Sequence, residues 1–248
     1  MSEGDLFLIS FLKVGFASLG LNEQLINNIK RYGITKLTPF QMEVIKEIKE
    51  NSNVIVDSIE GTGRTISLII GTLDKIDETK QQQEQEQQER QQTDQQFSFP
   101  QILMILPTKE LSQTTKVIYS SLGGGENNNN DFKVLSCIGG VKISMDIEIL
   151  KKGNTQILLG TPGRISDLFS RKRFDTDNIK ILVFDELDEI LSRGFECQLE
   201  DIIKPLNNNN NLQIIVSTSG INELTSNFIN TFIKIPKIIK SQQEPYKF

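Results

Sequence analysis

The chain has 248 residues, 24% of them charged, and a net charge of −5, which fits one α/β domain with a core large enough to need no disulfide or metal staple. The acidic balance excludes a basic nucleic-acid tail but leaves room for a local basic strip. Histidine is absent altogether, which removes Ser-His-Asp and Cys-His nucleophile systems, histidine metal sites and histidine general bases.

Residues 1–15 read as an N-terminal extension. Their apolar stretch, Leu6 to Leu12, follows Glu3 and Asp5 and is cut by Lys13, so it lacks the basic flank and length of a secretory signal or membrane span. No membrane partner is expected, and a cytoplasmic location is, with the nucleus as the alternative. Cys137 and Cys197 lie far apart, without disulfide or zinc spacing, which suits a reducing compartment. Three tracts, 80–96 (Gln and Glu), 127–130 and 207–211 (Asn), bury too little apolar area to offset their ordering entropy and read as solvated insertions.

Between the insertions run six short apolar segments: Asn53–Val56, Ile102–Leu106, Lys133–Ile138, Gln156–Leu159, Ile181–Phe184 and Gln213–Val216. Continuous apolar runs mark strands buried on both faces. Segments such as Thr65–Ile76, Lys109–Ser120 and Met145–Lys151 have helical periodicity. Strand and helix in alternation imply a parallel α/β sheet with helices on both faces. Ligands then bind outside the carboxyl ends of the strands.

After the first run comes Ser58-Ile-Glu60-Gly61-Thr62-Gly63-Arg64-Thr65, a glycine loop, a cation and a hydroxyl opening a helix. Its N–H groups can cradle phosphates, and Thr65 can offer oxygen to Mg²⁺. The plainer alternative is a glycine turn between strand and helix. After the fifth run, Asp185 and Glu186 stand at the end of a buried strand, where carboxylates are costly unless they meet a cation or water. Such an acid holds Mg²⁺ in phosphate-loop proteins, and its neighbour can activate water; an acidic helix start is the alternative. Pro107-Thr108-Lys109, Gly139-Gly140 and Thr161-Pro-Gly163-Arg164 follow the second, third and fourth runs. They offer helix starts, open backbone and long cations, the parts that hold a sugar-phosphate backbone without reading bases, or ordinary turn chemistry.

Together these segments resemble the first RecA-like domain of DEAD-box RNA helicases, from about Phe16 to about Pro236. Phe16-Ala-Ser-Leu-Gly-Leu21 with Tyr32-Gly-Ile-Thr-Lys-Leu-Thr-Pro-Phe-Gln41 is similar to the adenine-recognition element, which spans 16–41. The ATP-binding domain then covers 42–236 and a tail 237–248. Asp185 to Phe195 most resembles the translation-initiation factor 4A branch. The resemblance implies a RecA-like, P-loop NTPase fold and RNA-dependent ATP hydrolysis with RNA unwinding, ATP and Mg²⁺ as cofactors and RNA as partner. It implies that Phe16 stacks on adenine and Gln41 bonds its edge. Ser58, Glu60, Gly61, Thr62, Gly63, Arg64 and Thr65 would hold phosphates. Asp185 and Thr65 would hold Mg²⁺, Glu186 would activate water, and Asp188, Ser217 and Ser219 would couple hydrolysis to RNA. Pro107, Thr108, Lys109, Gly139, Gly140, Thr161, Gly163 and Arg164 would contact RNA.

The departures shape the expected activity. Arg64 stands where the family has lysine, exchanging a compact charge for a wide planar fork. Leu187 replaces an alanine, adding bulk expected to crowd the surface where a second domain closes. Ser217-Thr-Ser219 replaces Ser-Ala-Thr, Leu37 a proline and Lys109 an arginine. About 30 residues follow Ser219 and contain no arginine. A second RecA-like domain needs about 100 or more residues, so that domain and its arginine finger are expected to be absent. Impaired hydrolysis follows as an expectation, with a protein partner supplying the missing half in trans or an inactive interaction module as alternatives.

Overall fold

In the computed structural model, residues 16, 18–76, 100–124, 132–171, 176–207 and 211–241 are described. The extension 1–15, the tracts 80–96 and 127–130, most of 207–211 and the end of the tail lie outside these residues.

In chain order the elements are α1 (Glu23–Arg31), α2 (Pro39–Lys49), β1 (Val54–Asp57) and α3 (64–76), then β2 (Ile102–Ile105), α4 (Lys109–Leu122), β3 (Val134–Cys137) and α5 (Ile143–Lys151). After them come β4 (Ile157–Gly160), α6 (Pro162–Ser170), β5 (Ile181–Phe184), α7 (Leu187–Ser192), α8 (Glu196–Leu206), β6 (Gln213–Thr218), α9 (Glu223–Phe232) and β7 (Lys237–Lys240). Every predicted strand is present. The seven strands form one parallel sheet in the order β3-β4-β2-β5-β6-β1-β7.

Side-chain alternation on the strands divides the core into two layers. Val54, Val56, Ile102 and Met104 face α1 to α4, meeting Ile29, Ile45, Leu68 and Tyr119. Ile55, Leu103, Ile105 and Leu182 face the other way, onto Ile165, Leu168, Leu199 and Phe228 of α6, α8 and α9. Strands β2, β4 and β5 are buried at every residue. That explains why they read as unbroken apolar runs. Helix starts follow local chemistry: Thr38 and Gln41 form a capping box at α2 with Pro39 beside it, and Thr108 accepts from the Leu111 N–H at 3.1 Å, satisfying donors a first turn leaves unpaired.

Residues 237–240, assigned to a tail on sequence, are instead the edge strand β7, paired with β1 in the register Val54↔Lys237. Only Ile239 of the four is buried. A strand with one buried residue shows neither a continuous run nor clear alternation, so its pattern could not announce it. Ion pairs hold it: Lys237 to Glu47, and Lys240 to Asp57 at 3.3 Å.

The close of β4 is tight. A Cβ on Gly160 would sit 2.6 Å from the Cys137 carbonyl oxygen and 2.6 Å from Ile165 Cδ1, and backbone cannot give way cheaply. Gly160→Ala is therefore expected to destabilise the fold by about 1–3 kcal/mol, measured as a lower urea midpoint.

Candidate functional site

Because β6 is inserted between β5 and β1, the loops after β1 and β5 and the end of β6 meet at one place. The meeting point is the Asp185 carboxylate, which is fully buried. Thr65 Oγ1 donates to its Oδ2 at 2.9 Å, and Ser217 donates to its Oδ1. Ser217 Oγ also accepts from the Glu186 N–H at 2.9 Å, so one hydroxyl ties both acids to β6. Burial raises the pKa of Asp185 above the ordinary carboxylate value, and the hydroxyls of Ser217 and Thr65 and the charge of Arg64 pull it back.

Glu186 adopts a left-handed conformation, φ 58° and ψ 54°, which costs a non-glycine residue about 1–2 kcal/mol. The turn points its side chain back over the glycine loop after β1. Arg64 meets it there, Nη2 to Oε1 at 3.2 Å, while Nη1 donates to the Ser58 carbonyl at 2.6 Å. The Arg64 side chain is only 5% exposed. Burial and the neighbouring Asp185 raise the Glu186 pKa, and the Arg64 guanidinium opposes them. Glu60, Arg64, Thr108, Glu186, Asp188 and Ser219 line a cavity of about 260 Å³.

Gly63 is required twice over in the glycine loop. Its φ is +78°, and a Cβ there would lie 2.0 Å from Gln41 Nε2. Gln41 donates from that nitrogen to the Thr62 carbonyl at 3.4 Å and accepts the Thr38 N–H at 2.9 Å. Its amide thus locks α2 to the loop, with a second lone pair and N–H not used in these two bonds. Thr62 turns its hydroxyl into the loop, toward Ser58 Oγ and the Ile59 carbonyl, while Glu60 and Gly61 are exposed. Phe16 departs from the expectation. Its ring is packed into the core and only 5% exposed. An apolar residue three before Leu19 and five before Leu21 belongs to the same buried cluster.

The expected backbone-contact residues follow β3, β4 and β2, which are neighbours in the sheet, so their loops form one row. Gly139, Gly140 and Gly163 have nothing within 4 Å of a built Cβ, so their backbone is open to approach. Pro107 is buried beneath the row, while Thr108 is half-buried and caps α4 with its oxygen, keeping its O–H as donor. Lys109 is exposed and pairs loosely with Glu110 at 3.6 Å, and Thr161 makes no cap bond at α6. Arg164 is the exception. Its Nη1 donates to buried Asp146 at 2.8 Å and its Nη2 to the Val141 carbonyl at 2.5 Å. This guanidinium braces the start of α6 against α5 and the loop before it rather than reaching outward. Asp146, the acid that holds it, was not singled out in the sequence because it sits mid-pattern on α5.

Leu187 also differs from expectation. It has no exposure and packs into the core beneath α7, so its bulk is directed into the protein rather than at its surface. Asp188 meets the residue after β6: it accepts the Ser219 N–H at 3.3 Å and the Ser219 hydroxyl. Sequence reasoning missed Glu189 and Arg193, which line the cavity and pair with each other at 2.7 Å; their (i, i+4) spacing on α7 was the available signal.

Mg²⁺ fits the donors present. Thr65 and Asp185 offer hard oxygens 2.9 Å apart, and Mg²⁺ takes one or two protein oxygens and completes its shell with water and phosphate. No helix among the described residues is long and apolar enough to cross a membrane.

The family model of DEAD/DEAH box helicases matches residues 38–226. The chain is 33% identical over 222 residues to the ATP-dependent RNA helicase eIF4A of Kluyveromyces lactis, covering 89% of this chain and 50% of that protein. It is 30% identical over 226 residues to eukaryotic initiation factor 4A of Dictyostelium discoideum, covering 90% and 50%. A DEAD box protein from the hyperthermophile Methanococcus jannaschii superposes with a TM-score of 0.76 at 25% identity, covering 92% of this chain and 56% of that one. The chain spans about half the length of the curated relatives it matches.

Two substitutions check this geometry. Leu187→Ala is expected to leave a cavity and cost about 2–5 kcal/mol, read by urea unfolding; an unchanged midpoint would place Leu187 at the surface. Asp185→Asn is expected to raise the unfolding midpoint at pH 7. The folded pKa of Asp185 lies above its unfolded value, so ionising it opposes folding; the gain should shrink as pH falls below the raised folded value and vanish below the ordinary carboxylate value.

Proposed function

The chain belongs to the DEAD/DEAH box helicase family, and from that premise we propose that it is an ATP- and RNA-backbone-binding module whose own hydrolysis of ATP is weak. One observation carries the reading. Thr65 and Asp185, 120 residues apart in sequence, bring their oxygens within 2.9 Å at the mouth of a glycine loop, the pairing that holds Mg²⁺ against nucleotide phosphates.

In this reading the loop from Gly61 to Thr65 binds phosphates through backbone N–H groups, and Gln41 orients the base with the half of its amide left free. Mg²⁺, when bound, offsets phosphate charge at Thr65 and Asp185. Glu186 is the group that orients the attacking water. The row from Thr108 through Gly163 to Gly140 receives an RNA backbone without reading its bases, with little sequence preference expected. Ser217 and Ser219 hold Asp185, Glu186 and Asp188, so movement of β6's end is felt by all three of these acids. Arg64 limits the chemistry, because its charge is committed to Glu186 and Ser58. Arginine fingers contribute about 10³–10⁵ in rate in phosphate-loop enzymes, and one supplied by another domain or chain would be the largest available gain.

The commitment of Arg64 also favours a second reading, an interaction module that meets a protein partner without using ATP. Calorimetric titration with Mg-ATP separates the two. Saturable binding that weakens by about tenfold or more in Thr65→Ala is the expected result; absence of binding at millimolar ATP would leave the interaction module.

A further inference from the structure

We propose that α5 is one half of a two-fold symmetric contact, in which it packs antiparallel against α5 of a second copy of this chain. The proposal is independent of the nucleotide and RNA readings above.

The helix has apolar residues on two sides and a core on only one. Ile143, Ile147 and Leu150 pack inward onto the layer that holds Ile165 and Leu168, and Asp146 is buried with them, held by Arg164. Met145 and Ile149, four residues apart and so on one face, point away from that core and are 53% and 37% exposed. Val141, just before the N-cap Lys142, is 44% exposed, and its carbonyl is fixed by Arg164. A surface helix carries polar residues on its outer face, whereas a helix apolar all round belongs in an interior. The fold covers one side of α5. The other side suits a second helix, because residues four apart form the ridge that interlocks with the same ridge of a neighbour.

Charge selects a second copy as the occupant. Lys142 and Glu148 border the apolar stripe, both exposed, and neither has an ion pair among the described residues. In an antiparallel pairing about a two-fold axis at Met145, residues equally far from it on its two sides face each other. Ile149, four after it, then meets Val141, four before it, in the other copy. Glu148 meets Lys142, three residues away on each side, and this ion pair forms twice. Apolar groups face apolar groups and each rim charge faces its opposite, the complementarity that fixes register. An RNA backbone would meet Lys142 but would set phosphate against Glu148. Because α5 follows Gly139 and Gly140 closely, the pairing brings the loops after β3 of both copies to either side of the axis.

The test is sedimentation equilibrium of the intact chain. An interface of this size falls in the weak class, so dimers are expected to form with a Kd of about 10–100 μM. Met145→Glu puts two carboxylates together on the axis and is expected to weaken association by at least about tenfold, with an unchanged urea midpoint because the side chain is exposed. Lys142→Glu sets like charges opposite each other and is expected to weaken association by about fivefold or more. Adding Glu148→Lys reverses each pair and is expected to restore the wild-type affinity within about threefold. Recovery in the double variant separates a facing pair from a general effect of charge. A chain that stays monomeric to about 500 μM overturns the proposal in favour of a different protein partner. Dimers that Met145→Glu leaves intact, or a double variant as weak as the single one, overturn it too.

Discussion

A carboxylate removed from water must be met by donors, and the site is organised around how Asp185 meets this demand. Its two oxygens accept from Thr65, which opens the helix after β1, and from Ser217, which ends β6. Those hydroxyls reach it only because β6 lies between β5 and β1, with Val56 and Ser217 in register. Ser217 in turn holds the Glu186 N–H, and the left-handed turn at Glu186 is stable because its neighbours over-determine it. Loop, acids and hydroxyls form one coupled unit.

The same strand order divides the carboxyl edge of the sheet into two halves. Loops after β5 and β1, with the end of β6 between them, build the end that holds Asp185, Glu186 and Arg64. Loops after β3, β4 and β2 build a row of open glycine backbone and helix starts. The halves touch where β2 meets β5, and there Thr108 lines the cavity that also holds Glu186 and Asp188. A ligand on the row and a ligand in the loop would share that wall.

Arginine in place of lysine alters the first half without disturbing the fold. The guanidinium is buried, but both of its contacts are charge-assisted or backbone bonds, so burial leaves no unsatisfied charge. In the proposed function the cost falls on chemistry instead, because a cation bound to Glu186 is less available to phosphate and a carboxylate bound to Arg64 less available to water.

Much of this was legible in the residues. Strands β2, β4 and β5 announced themselves because burial on both faces leaves no polar alternation, and the glycine loop and acid pair were visible as strings at strand ends. What stayed hidden were matters of partnership. Phe16 and Leu187 were read as surface chemistry because a string does not show which way a side chain turns, and both are core. Arg164 was read as an outward cation because Asp146, 18 residues earlier, gave no sign of facing it. β7 was read as tail because its one buried residue makes no pattern. The sequence by itself determined the element types and which residues end each strand, since those follow from local periodicity and capping. Only the tertiary structure decided which strand ends are neighbours and where each charge finds its partner, since the order of strands in a parallel sheet depends on crossovers whose contacts are far apart in the chain.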